Sequence, residues 1–131
     1  MKQVYKVGDK KHYKKLVTKE DVAKFNGTTV HHVCSTFALA REIEWSTRLF
    51  VLDIKEEDEE GVGTMLTINH IGPAFIGEEL LIEATIKTFS KNELICKYSV
   101  HVNDRLIAKG ETGQKIFKKK VFEKIFDKDR K

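Results

Sequence analysis

From Ser35 to Ile54 the chain reads STFALAREIEWSTRLFVLDI, a run without Gly or Pro in which Leu39, Ala40, Ile43, Thr47, Phe50 and Val51 share one arc of a helical wheel. That spacing predicts one substantial central helix. Arg41, Glu42 and Arg48 cluster on another side and read as its solvated face. Downstream, VGTMLTINHI, ELLIEATIKTF, NELICKYSVHV and RLIAKGETGQKIF look extended, separated by GPAFIGE, SK and ND. Connections that short and turn-rich imply antiparallel neighbours. Upstream, KKHYKKLV at 10–17 reads as a polar edge strand. Thr18 then opens TKED, a capping-box pattern predicting a short helix, TKEDVAKF, that ends near Asn26-Gly27 before a loop. At the C-terminus, Phe117, Val121, Phe122, Ile125 and Phe126 punctuate KIFKKKVFEKIFDKDRK, which predicts a final strand running into a short amphipathic helix.

A strand and short helix, one buried helix, then a meander of at least four strands describes an α+β domain. A curved antiparallel sheet wraps the central helix, which is the hotdog fold. With 131 residues, a single proline (Pro73) and no repeat, the chain reads as one domain over 1–131. Cys34 and Cys96 lie far apart with no CxxC spacing, which points to reduced thiols in a cytoplasmic protein. The charged N-terminus lacks an apolar core of the signal-peptide kind, and no segment approaches the roughly 18 apolar residues of a membrane span. Neither secretion nor membrane insertion is expected. The 24 basic and 20 acidic residues are spread along the chain, so the net charge of +4 describes a solvated surface. The basic C-terminal run lacks a base-stacking aromatic pattern, so no nucleic-acid partner is expected.

Alternation along residues 62–70 puts His70 on the same, more apolar strand face as Val62, Thr64, Leu66 and Ile68. An imidazole there is either a core histidine satisfied by one hydrogen bond or a functional group. Glu44 departs from the other helix charges: it lies at the edge of the apolar arc, between Ala40, Val51 and Phe37, with Thr36 near the arc's centre two turns earlier. A carboxylate partly withdrawn from water moves toward the working range of a general base. The plainer readings are an interfacial ion pair for Glu44 and helix capping for Ser35 or Thr36. His12 and His31-His32 have no third ligand at a recognisable spacing, so they read as exposed histidines and no metal is expected. Cys34 lacks a Cys-His motif and reads as a small buried thiol. Trp45 points away from the apolar arc and marks the outer side of the helix as a candidate interface.

At these separations Thr36, Glu44-Trp45, Gly63-Thr64 and His70 resemble the hotdog thioesterases related to fluoroacetyl-CoA thioesterase, from about Lys6 to about Lys124. The resemblance implies an acyl-CoA thioesterase that hydrolyses a small or medium acyl-CoA to free acid and CoA. It implies Thr36, Glu44 and His70 as the catalytic set and Gly63, Thr64 and Phe37 as substrate-binding residues. It also implies no cofactor beyond the coenzyme A of the substrate, and a homodimer or higher homo-oligomer with sites at the subunit interface. Glu44 and His70 then meet within one protomer or between two. Two differences accompany the resemblance. TTVHHVC stands where a relative has gating phenylalanines, with Phe25 the nearest aromatic, and Gln114 stands where that relative has an arginine. An enoyl-CoA hydratase on this fold needs an Asp and a His together in a helical loop, a pair not found near this helix. The remaining alternative is a non-catalytic domain that binds acyl-CoA for regulation.

Overall fold

The computed structural model describes the backbone of residues 1–25 and 28–129, and side chains except those of 23–31 and 128–129. Strand β1 (Lys10–Leu16) leads through a tight turn to the hairpin β2 (Val22–Phe25) and β3 (Thr28–Cys34). The helix α1 (Thr36–Ile54) follows, then β4 (Glu59–Leu66), β5 (Asn69–His70), β6 (Glu79–Ser90), β7 (Glu93–Val102), β8 (Arg105–Lys118) and helix α2 (Lys119–Asp129). The main sheet runs β1-β6-β7-β8-β4, with β5 continuing beside β8, and every pairing is antiparallel. It curves around α1 as the hotdog fold requires. Among the described residues no helix is long and apolar enough to cross a membrane.

The helix is held by two apolar clusters, one toward each end. Leu39 and Ile43 pack with Ile82, Val100 and Ile107, while Phe50, Val51 and Ile54 pack with Ile86, Leu94 and Ile116. Each such side chain is fully buried and contributes about 1.5–3 kcal/mol. The buried stripe also includes Glu42, which a helical wheel assigns to the solvated face. Tyr13 of β1 donates to Glu42 Oε1 at 3.0 Å and Arg41 donates to Oε2 at 3.1 Å, so the carboxylate enters the interface already bonded. Burial, reinforced by the Glu42 carboxylate, raises the Tyr13 phenol above its ordinary value.

Two expected local elements differ. Thr18 does cap a helical turn, with Asp21 closing the box, but the turn spans only Lys19–Asp21. Val22 is already extended, buried, and paired with Cys34. Strand pairing and burial of this β-branched residue override the local helical signal. The expected loop after it is β3, whereas Asn26, Gly27 and the side chain of Phe25 lie outside the described residues. The expected C-terminal helix is present, with Phe122 edge-on to Phe117 and stacked on Phe126.

Asp21 ties this region to the helix start. Its carboxylate accepts from the Thr18 N–H at 2.8 Å and meets Lys15 at 3.2 Å and Arg41 at 3.3 Å, while its carbonyl accepts from Ser35 N at 2.8 Å. Burial alone would raise the Asp21 carboxyl, yet the Thr18 and Lys15 contacts outweigh it and hold the group below its ordinary value of 3.8. A depressed value contributes stability that is complete above the ordinary value and is lost as pH falls through the folded one. Asp21→Asn should therefore cost about 1–3 kcal/mol at neutral pH, and the gap from the parent in urea unfolding should close below about pH 4.

Candidate active site

The site begins with a change of face along β4. Gly63 pairs with Gln114, but Met65 pairs with Gly113, so Thr64 is an extra, bulged residue. Gly63 faces the helix: a Cβ there would stand 3.2 Å from Glu44 Oε1. Thr64 and Met65 both turn toward Gly113 on the outward face, with Thr64 Oγ1 3.1 Å and Met65 Cβ 3.2 Å from where its Cβ would be. Val62 on that face is 38% exposed. Beyond the bulge Leu66 and Ile68 pack on the core, and His70 continues their series inward. His70 therefore does not share a face with Val62 and Thr64. The bulge is what brings it inside.

His70 meets the helix start. Its Nδ1 lies 2.9 Å from Thr36 Oγ1, and the imidazole tautomer sets which of the two donates. Ser35 caps the helix by accepting from Ala38 N at 3.0 Å, which leaves Thr36 at the first helical position rather than as the cap. Thr36 is exposed, not central to the buried arc, and His70 is half-buried. The N–H groups of Thr36 and Phe37 precede the first intrahelical bond, from Leu39 N to Ser35 O at 3.0 Å, and so have no acceptor within the helix.

Glu44 occupies a separate concavity of about 260 Å³, lined by Arg41, Glu44, Trp45, Arg48, Gly63 and Gln114. It is exposed rather than partly withdrawn from water. Arg41 is engaged with Asp21 and Glu42, and Arg48 with Glu60 and the Gly61 carbonyl. Glu44 thus has no ion-pair partner among the described residues. Gln114 is buried and donates to Thr47 Oγ1 at 2.9 Å, and Thr47 donates to the Glu44 carbonyl at 3.1 Å. This chain anchors the helix turn that carries Glu44. Eight residues of helix place Glu44 about 12 Å from Thr36 along the axis. One protomer brings Thr36 to His70 and Glu44 to Gly63, but does not bring the two pairs into contact.

The other candidates separate clearly. Phe37 is 82% exposed and does not border the Glu44 concavity, and Thr64 faces outward, away from Glu44. Trp45 is 43% exposed beside Glu44. Cys34 is buried, and burial followed by the nearby Asp21 charge pushes its thiol up to about 11, so it stays protonated. Cys96 is likewise a buried free thiol. His12 pairs with Glu83 at 2.9 Å, His32 is exposed, and the side chain of His31 lies outside the described residues. Among the described residues no three His, Cys, Asp or Glu side chains converge.

Comparison with known proteins adds the family. The model of the fluoroacetyl-CoA-specific thioesterase family matches residues 17–120. The chain belongs to this thioesterase family. Among solved structures, a thioesterase superfamily member from Thermus thermophilus aligns with TM-score 0.91 and 24% identity, over 98% of this chain and 96% of that one. The fluoroacetyl-CoA thioesterase itself aligns with TM-score 0.86 and 15% identity, over 95% of this chain and 96% of that one. A hot-dog-like protein from Thermanaerovibrio acidaminovorans aligns with TM-score 0.85 and 16% identity, over 94% of this chain and 91% of that one. At these identities the structures show a common fold. No curated protein sequence matches.

Two glycines near the site of this thioesterase family member have opposite roles. A Cβ at Gly110 would overlap the Thr67 carbonyl and approach the Tyr98 hydroxyl to 2.9 Å, whereas one at Gly63 would meet only the Glu44 carboxylate, at 3.2 Å, the far end of a flexible side chain that can give way. Gly110→Ala should lose about 2 kcal/mol or more in denaturant unfolding. Gly63→Ala should stay within about 0.5 kcal/mol of the parent.

Proposed function

We propose that the protein is an acyl-CoA thioesterase, hydrolysing small or medium acyl-CoA thioesters with Thr36, Glu44 and His70 as its catalytic set. The observation that carries this reading is the 2.9 Å contact between Thr36 Oγ1 and His70 Nδ1, the separation expected of a hydroxyl and the base that activates or orients it. Family membership supports the reaction class. A relative of the same fold is described in complex with fluoroacetate and CoA, which supports an acyl-CoA substrate.

In this mechanism the thioester carbonyl sits at the first turn of α1. The N–H groups there receive the developing oxyanion. The nucleophile is water activated by Glu44, or the Thr36 hydroxyl, with the resulting acyl ester then hydrolysed by water. His70 orients the attack or delivers the proton that lets CoA leave as a thiol. Gly63 keeps the approach to Glu44 free of a side chain.

We further propose a homodimer in which Glu44 of one protomer completes the Thr36–His70 pair of its partner. Three features support this: the separation of the two half-sites along one helix, the exposure of Phe37 and Trp45, and the edge of β4, which among the described residues pairs only with β8. An apolar strip beside an unpaired strand edge is a surface that proteins ordinarily cover. The position before the helix lacks gating phenylalanines, so selection for the fluoroacetyl group is not expected.

Free-thiol release from a panel of short, medium and aromatic acyl-CoAs tests the proposal. Turnover should fall about 10²- to 10⁴-fold in Glu44→Gln and His70→Ala with folding retained. Thr36→Ala should also lose activity, while Thr36→Ser keeps a substantial part of it. Saturable binding with no hydrolysis across the panel would replace the hydrolase with a regulatory acyl-CoA-binding domain.

A further inference from the structure

The step from β4 to β5 leaves a notch of about 480 Å³, bordered by Thr67, Asn69, Lys97, Tyr98, Lys109 and Glu111, within the size range of small-molecule sites. Lys97 and Lys109 are exposed and alternate with the core-facing Cys96, Tyr98 and Ala108, so the notch opens on the outward face of the sheet. The notch is rigidly built. Tyr98 donates to the Thr67 carbonyl at 2.8 Å, Thr67 N donates to the Glu111 carbonyl at 2.9 Å, and Glu111 N donates to Thr67 Oγ1 at 2.9 Å.

Its charge is unbalanced. Lys97 lies opposite Glu111 and Lys109 opposite Ser99, so the two lysines are diagonal neighbours on adjacent strands. Two other lysines of this face are engaged: Lys10 with Glu83, and Lys87 with Glu111, the carboxylate bordering the notch. Lys97 and Lys109 have no carboxylate partner among the described residues. Two like charges this close repel, and an anion of several oxygens between them relieves that repulsion.

We infer that this notch binds the phosphate-bearing nucleotide end of coenzyme A, with Lys97 and Lys109 on phosphate oxygens and Asn69 as a neutral partner. The inference rests on the acyl-CoA reading of the Thr36–His70 site and adds to it where the other end of the substrate lies. Asn69 and His70 are consecutive on β5, so their side chains point to opposite faces. Among the described residues β5 pairs with β8 alone, which leaves its other edge unpaired there. A flexible arm anchored beside Asn69 can turn around that edge and present its thioester to His70. An acyl-CoA has this form, phosphates at one end and thioester at the other.

The test compares an acyl-CoA with the same acyl group on N-acetylcysteamine, which lacks the nucleotide. Lys97→Ala/Lys109→Ala should raise KM for acyl-CoA about ten- to a hundredfold, keep kcat within about twofold, and leave the short thioester unaffected. Lys120→Ala/Lys124→Ala, which removes the same charge from α2, should change none of these. Calorimetric titration with CoA and with pantetheine needs no turnover: the parent should prefer CoA and the lysine variant should lose that preference. Adenosine 3′,5′-bisphosphate should compete with CoA where equal inorganic phosphate does not. Equal losses on both thioesters, no loss on either, or equal competition by free phosphate would overturn the inference. CoA binding through these lysines without turnover would refute the hydrolase reading alone, and hydrolysis of both thioesters with equal efficiency would refute the nucleotide site alone.

Discussion

A single hydrogen bond, between Thr36 Oγ1 and His70 Nδ1 at 2.9 Å, joins the first turn of the buried helix to β5 at the margin of the sheet. Everything near it fixes its two ends. On the helix side Ser35 caps the turn, and Asp21 accepts from Ser35 N while binding Lys15 and Arg41. On the sheet side the extra residue Thr64 reverses the alternation of β4, and the Tyr98–Thr67 bond pins the step into β5. Without the bulge, the alternation of β4 would aim the His70 imidazole away from the helix.

The geometry of an α-helix then imposes a second constraint. A residue eight positions on is just over two turns away, about 12 Å along the axis. Thr36 and Glu44 cannot both touch one small acyl carbonyl from the same helix without something bridging them. In our account each protomer therefore carries two half-sites: a hydroxyl–imidazole pair at the first turn of the helix, and a carboxylate beside a glycine. The exposed Phe37 and Trp45 lie on the same helix as both. In our account an isologous dimer brings the complementary halves together, and the buried Gln114–Thr47 bond holds the Glu44 turn in place for that purpose.

Much of the fold was legible in the chain because its strongest signals are long and periodic. The 19-residue helix and the strands after residue 78 follow the pattern closely. The failures lie where short signals meet tertiary contacts. A capping box at Thr18 cannot reveal that Val22 will pair with Cys34, and a helical wheel cannot reveal that Tyr13 will receive Glu42 in the core. His70 was legible as an unusual residue, but for a different reason than the structure gives. Strict alternation joins it to Val62, whereas a bulge, which has no reliable sequence mark apart from Gly63-Thr64, separates them. The place of Glu44 at the edge of the apolar arc predicts a half-withdrawn carboxylate, whereas it stands exposed in the protomer, beside Gly63. Phe37 is 82% exposed, and Thr64 turns to the outward face of the sheet.

The claim that two protomers share one hydrolytic site is tested most directly by subunit mixing. Thr36→Ala and Glu44→Gln proteins, each inactive alone, are combined under conditions of exchange and assayed for thiol release. Random pairing gives half mixed dimers, each with one intact site, so about a quarter of parental turnover should return. A mixture as inactive as its components, with exchange verified by mass, would contradict the account.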